Sequence, residues 1–461
     1  MKTITSGRII LGLVFIFLSF GNSLSNPAFA LPLFAKKYNL SCPVCHEAFP
    51  KLNDVGVAFK ENGYQMGSER DTPLQNPVVS PFSFRTTPIV TYKTQTNVPT
   101  DQENNDTVST GTADVTGLDI LSGGVLAQDI SYLIVLSPFL DNKIDLEAAW
   151  VRFSNLFGSS WANLKVGKHE LYLPFSEKRS FFLTEEGADY LAYGYHPGGV
   201  SNLNTFDFGH NQMGLEFSGH SPESRIRYAL DINNGSVEGS NQALGTKPDL
   251  YGHFSYKVDQ EMTSEKFGLL GSYGWWPLNY KTTSNGVTTT DIPGTGSNYK
   301  ASSRLGGYVV MDIGSSGTPL ASIGLLYLYG IDDGSLVGST PSPLCPVAPC
   351  PDLFAGGAGG TRDGIFTGGS LEVNFMPNLN TVFFNHYDWI INKQQADISF
   401  PSDYKDQNKF TTGIRHYLHQ SIYTLIALHG ELGYAVTKKT NLVTGDDQTT
   451  LQFLLGVDYA F

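Results

Sequence analysis

The chain of 461 residues has no apolar run long enough for a membrane-spanning helix once its first thirty residues are set aside. It is also poor in charge, with Asp, Glu, Lys and Arg together at 16%, and it has only six methionines and four cysteines. Four cysteines exclude a disulfide-built scaffold of this size. A deficit of basic residues excludes an electrostatic footprint for nucleic acid: 30 Lys and Arg stand against 43 Asp and Glu. What is abundant is glycine (49), phenylalanine (29) and tyrosine (23), a balance that suits short-period strands with aromatic girdles rather than helices.

The N-terminus reads as an export signal. Lys2 and Arg8 form a basic region, Ile9 to Phe20 an apolar core shorter than the roughly 20 residues a spanning helix needs, and Ala28-Phe29-Ala30 a small-x-small cleavage site. Cleavage makes residues 1–30 a signal peptide and Leu31 the first mature residue. It leaves 28 basic against 43 acidic residues, a net charge of −15.

The cysteines fall in two close pairs. Cys345 and Cys350, inside the Pro-rich stretch 341–351, read as a small disulfide loop in an oxidising compartment. Cys42-Pro43-Val44-Cys45-His46 has the C-x-x-C-H spacing of covalent haem attachment. Two thiols three positions apart reach the two vinyl groups of one macrocycle, and the adjacent His46 falls under its iron as proximal ligand. A thioredoxin-type redox pair would need a βαβ setting that is absent, and a zinc site would need further Cys or His nearby, where none follows before His169.

Residues 31–80 are expected to form a small haem module. Leu52, Val55 and Phe59 recur at helical spacing and Gly63 follows as a C-cap, which predicts a short amphipathic helix with its apolar side on the haem. So small a segment buries little core alone, and the haem or a barrel wall must complete it. Met66, the one methionine of the module, is the candidate distal ligand, with a barrel-wall histidine or an open position as alternatives.

From residue 81 to 461 the chain divides into about sixteen strands of alternating polarity, from 83–94 and 114–124 through 161–169 to 447–461. Short links such as 125–127, 155–160, 315–317, 376–378 and 420–422 alternate with long ones such as 95–113, 170–207, 277–301 and 331–362. That parity is expected of a transmembrane antiparallel β-barrel with short turns on the periplasmic side. In the last strand Leu451, Phe453, Leu455, Val457, Tyr459 and Phe461 share one face, and a terminal Phe there resembles the assembly signal of bacterial outer-membrane proteins.

Alternation sends His429 and Glu431, Lys165 and His169, and Asp145 and Glu147 into the lumen, the last pair opposite Ile144, Leu146 and Trp150. Glu185, Glu186 and Asp189 lie in the long segment Glu170 to Asp207, read as a solvated loop, with binding of a hard cation through oxygen or inward folding as a constriction as the alternatives.

With a signal, Leu33-Phe34-Ala35, the C-x-x-C-H motif, Pro50 and Leu52, then Gly56, Phe59, Lys60, Gly63 and Tyr64, and a porin-length barrel after them, the chain resembles the fused monohaem cytochrome-porin family. The resemblance implies one covalent haem c on Cys42, Cys45 and His46, plugging the lumen of an outer-membrane barrel. It implies electron transfer across the outer membrane, with extracellular Fe(II) as donor and a periplasmic c-type cytochrome or other soluble carrier as acceptor. It supplies no iron-binding residues. A porin with a haem plug or gate, and electron export to an external acceptor, are the alternative functions.

Overall fold

The structure is a computed structural model that describes residues 33–66 and 82–461, apart from 100–104, 141–142, 184–189, 197–206, 236–246, 278–280, 285–286, 291–298, 316–317, 334–362, 394–405 and 439–445. The signal peptide, Glu185, Glu186, Asp189 and the expected Cys345–Cys350 loop lie outside the described residues.

The small N-terminal module has helix α1 (Leu33–Tyr38), a 3-10 turn (Cys42–Val44), the two-stranded ladder β1 (His46–Ala48) and β2 (Lys51–Leu52), and helix α2 (Asp54–Glu61). Asn53 caps α2 by accepting from the Gly56 amide at 3.0 Å. Beyond the C-cap Asn62, Gly63 takes the left-handed conformation that ends a helix (φ +67°). The expected helix is therefore present, starting two residues after the apolar spacing began. Leu52 precedes it, and Val55 is 43% exposed while Phe59 is buried, because Asn53 and not Leu52 supplies the cap.

Sixteen antiparallel strands close the barrel. They begin with β3 (Phe82–Pro99), β4 (Asn105–Ala127), β5 (Ile130–Leu140), β6 (Lys143–Phe153) and β7 (Asn163–His169). They continue with β8 (Gln212–His220), β9 (Ile226–Asn233), β10 (Asp249–Asp259) and β11 (Thr263–Pro277). After a small outer hairpin of β12 (Lys281–Ser284) and β13 (Val287–Thr290) come β14 (Tyr299–Ser315), β15 (Thr318–Asp332), β16 (Gly364–Asn378) and β17 (Thr381–Asn392). Last are β18 (Gln407–Gln420), β19 (Leu425–Thr437) and β20 (Gln448–Ala460). β20 pairs with β3, and Phe84 and Phe461 exchange backbone hydrogen bonds of 2.7 and 2.8 Å at the seam.

The alternation of the sequence is the alternation of the wall. Leu451, Phe453 and Leu455 are about half exposed on the outside, whereas Gln452 and Asp458 are buried within. His429 and Glu431 point inward between the outward Leu428 and Leu432. An apolar exterior around a polar interior is the inversion expected of a barrel solvated by lipid. Most short turns fall at one end, with both the start of β3 and the end of β20, and most longer connections at the other; the short β5–β6 link and the nine-residue β6–β7 link are the exceptions.

Two expectations change. Trp150 does not share the outer face: Leu136 pairs with Leu146 but Val135 with Ala148, so Glu147 is an extra residue and the strand re-enters phase with Ala148, Trp150 and Arg152 inward. The segment between β7 and β8 is not a solvated loop. Its described residues fold into the lumen, with Leu171, Phe181, Tyr190, Tyr193 and Phe208 at most 2% exposed, because their apolar surface finds a partner only inside. Helix α3 (Leu191–Gly194) lies in this segment, against β16 and β17.

Candidate cofactor site

The N-terminal segment 33–66 contacts inward-facing residues of the wall and the β18–β19 turn. Its α2 is tied to the wall by charge: Glu61 pairs with Arg227 at 2.6 Å, its carbonyl accepts from Arg152 at 2.8 Å, and Asp54 pairs with Lys257 at 2.6 Å. Tyr417 donates to the Phe49 carbonyl at 2.5 Å, and the Cys42 thiol lies 3.6 Å from the carbonyl of Ser421 in the β18–β19 turn. The infolded segment meets the same helix from the other side. Tyr172 donates to Glu61 at 3.1 Å, and Lys60 pairs at 3.2 Å with Glu170, which also holds Arg179 at 2.5 Å.

Between module, wall and infolded segment lies a cavity of about 900 Å³, lined by Cys42, Cys45 and His46 together with Met66. That volume is near the upper end of the roughly 300–1,000 Å³ range of small-molecule sites. One side of it is aromatic. Phe34 stacks on Tyr64 (4.6 Å between ring centroids), Tyr64 on the wall residue Trp150 (5.8 Å), and Phe59 meets Phe34 edge-on (5.1 Å). Charged groups of both signs complete the lining: Arg85 from β3 pairs with Asp458 at 3.0 Å, Lys178 with Glu147 at 2.6 Å, and Arg179 with Glu170 at 2.5 Å.

The residues of the C-x-x-C-H motif share this cavity. Cys42 and Cys45 carry free thiols, and burial pushes Cys42 up to about 11 and raises Cys45, so both remain neutral. Burial drives His46 down to about 4, so its imidazole is neutral. Nδ1 of His46 lies 3.1 Å from the Pro50 carbonyl, which only accepts; Nδ1 therefore bears the proton and Nε2 is left with its lone pair. This is the arrangement by which a carbonyl orients a ligating imidazole. Asn53 fixes the turn that carries the cysteines by donating to the carbonyls of Pro43 (3.3 Å) and Val44 (3.1 Å).

These residues could hold a covalent haem: two thiols outside any disulfide and one oriented imidazole line a single cavity with apolar rings for a macrocycle face, while Arg85, Lys178 and Arg179 there are each already paired with a carboxylate of the protein. Lys165, His169, Asp145 and Glu147 line the same cavity, as their inward alternation foretold. His429 and Glu431 do not. They bond each other at 2.9 Å, and Glu431 accepts from the Leu183 amide at 2.9 Å, so they pin the infolded segment. Trp150, Arg85, Lys178 and Arg179 were not legible as site residues. Trp150 was hidden by the bulge, and the cations carry no local motif.

No family model matches the chain, and no curated sequence is detectably similar to it. Among solved structures it is similar to the outer-membrane channel DcaP of Acinetobacter baumannii, with 10% identity over 82% of this chain and 96% of that one and a TM-score of 0.49. It is also similar to an anion-selective porin from Comamonas acidovorans, with 14% identity over 82% of this chain and 100% of that one and a TM-score of 0.45. OprB of Pseudomonas putida matches at 9% identity over 82% of this chain and 94% of that one, with a TM-score of 0.45. No residue role is carried over from any of them.

Proposed function

We propose that the chain is a monohaem c-type cytochrome-porin of the outer membrane, similar to the fused family its N-terminal motifs resemble, and that it moves electrons across that membrane. The observation that supports this reading is that Cys42, Cys45 and His46 line one cavity together with residues of the wall and of the infolded segment. A bound haem would supply a one-electron iron couple at a point reached from both ends of an otherwise insulating wall. Cys42 and Cys45 would hold it and His46 Nε2 would ligate its iron.

Extracellular Fe(II) is the proposed donor. It gives up one electron and becomes Fe(III), and the electron leaves at the short-turn end to a periplasmic c-type cytochrome or similar soluble carrier. Insoluble ferric product then forms outside the cell. An acidic mature chain is compatible with a cationic donor and a basic acceptor.

Anaerobic mixing of the purified protein with Fe(II), followed by visible spectroscopy, tests the proposal. The expected result is reduction of the haem bands; an oxidised spectrum at pH values where the couple is favourable would rule Fe(II) out as donor.

A further inference from the structure

The lumen wall holds a second constellation that the attachment motif does not use. His169 at the end of β7, Glu216 on β8 and Asp231 on β9 are buried to 2% exposure or less, and their ligand atoms lie within 4.8 Å of one another. The ladder places them there: Glu216 is the register partner of Asp231 across β8–β9 and of Lys165 across β7–β8, while His169 pairs with Gln212. Among the described residues this is the one such group of three.

The imidazole gives an observation independent of the clustering. Nδ1 of His169 lies 2.9 Å from the Gly167 carbonyl, and Nε2 lies 2.6 Å from Oδ2 of Asp231. Both partners are acceptors, and a neutral imidazole has one proton to give. If Gly167 takes it, the 2.6 Å contact from Nε2 to Asp231 is completed by a second proton, which a metal ion bound beside both atoms would displace. A backbone carbonyl on the far nitrogen is also how a ligating histidine is commonly oriented. Asp231 is steadied on its other oxygen by Asn233 at 2.7 Å, and Lys165 occupies one oxygen of Glu216 at 2.8 Å, which leaves Glu216 the second. Close by, the fully buried Gln212 has an amide oxygen without a partner.

We propose that His169, Glu216 and Asp231 form a site for a divalent transition-metal ion. One imidazole nitrogen with two carboxylates suits Fe(II), Mn(II) or Zn(II), and is too nitrogen-rich for a site built for Ca²⁺ or Mg²⁺. The site is reached from inside the lumen, since His169 lines the cavity of the attachment residues and Glu216 a smaller neighbouring one. An Fe(II) ion held there is placed to be the electron donor. That identification rests on the proposed function, whereas the site itself rests on its own geometry.

Mn(II) is the probe, followed by the fall in the free-ion EPR signal as the full-length purified protein is titrated, with Fe(II) as competitor. The expected result is one tightly held Mn(II) per chain, displaced by Fe(II), with affinity lowered at least about tenfold in Asp231→Asn and in Glu216→Gln. Heat-modifiable gel mobility reports that the barrels are folded, and haem staining is expected to be unchanged. No stoichiometric Mn(II) uptake by the wild-type chain, a result that requires no variant to fold, overturns the site; so does undiminished uptake in both variants. Uptake with the expected variant pattern but no haem reduction by Fe(II) sustains the site and removes the iron-oxidase reading. Haem reduction at wild-type rate in a metal-free Asp231→Asn protein sustains the oxidase reading and removes this site as the donor's.

Discussion

A methyl group on Gly56 would stand 2.1 Å from the carbonyl oxygen of Cys45. Helix α2 therefore packs directly on the segment that carries the cysteines, with no room for a side chain, and that carbonyl also accepts from the Asn53 amide at 3.1 Å. Gly56→Ala must push the helix off the attachment turn, at an overpacking cost of about 1–3 kcal/mol confined to the module. The expected outcome is severalfold less covalent haem per chain, read by haem staining on a denaturing gel, with the barrel's heat-modifiable mobility retained. Normal haem content would mean that the helix and the turn do not depend on each other.

Cys45 tests the cofactor more directly. Cys45→Ala removes one thioether and touches no wall contact, so the barrel should assemble while most covalent haem is lost. Haem stain of undiminished strength on the denatured chain would remove the attachment assignment altogether.

Much of this arrangement was open to reading from the residues, and the failures have local causes. A strand's period of two is strict, so Lys165, His169, His429 and Glu431 could be sent inward from their neighbours alone. The Glu147 bulge breaks that rule just before two alanines, Ala148 and Ala149, whose size betrays no side, so alternation alone sends Trp150 to the wrong face. The segment after β7 has aromatic residues in no period. Phe175, Phe181 and Tyr190 are the same residue types that girdle a barrel, and only the closed wall shows that they fill its lumen. Arg179 reaches the cavity through Glu170, a partnership set by that infolding and invisible in the sequence.

The pair Glu61–Arg227 should decide whether the module stays docked. Both side chains are at most 9% exposed, and removing one partner of a buried pair costs about 3–5 kcal/mol because the other charge is stranded. Arg227→Ala is expected to leave the barrel intact but make residues 33–66 sensitive to limited proteolysis in detergent. Glu61→Gln should act in the same direction, since the carboxylate also accepts from Tyr172. Equal protease resistance in all three proteins would show that the aromatic contacts and Asp54–Lys257 suffice.

A lumen occupied by the module and the infolded segment should conduct ions poorly. In planar bilayers the wild-type protein is expected to show unitary conductance well below that of an open barrel of sixteen strands, and Arg227→Ala to raise it. Large, steady conductance in the wild-type protein would favour the reading of a diffusion porin with a haem gate.

The sixth position on the iron can be argued from the donors that line the cavity. Besides His46, the methionine and histidine among them are Met66 and His169. His169 turns its Nε2 to Asp231, at the site proposed above for a separate metal ion, and its Nδ1 to the Gly167 carbonyl. Met66 packs half-buried beside Phe59, Tyr64 and Trp150, with a thioether that takes no strong hydrogen bond and loses nothing by turning to a metal. Thioether ligation raises a haem potential relative to bis-histidine ligation, which favours Fe(II) as donor over a stronger reductant. Met66→Leu keeps the apolar contact and removes the sulfur. Redox titration should then give a lower midpoint potential, and the oxidised spectrum should lose its sulfur-to-iron charge-transfer band. An unchanged potential and spectrum would place the sixth ligand elsewhere, and an accompanying change in His169→Ala would identify it as the wall histidine.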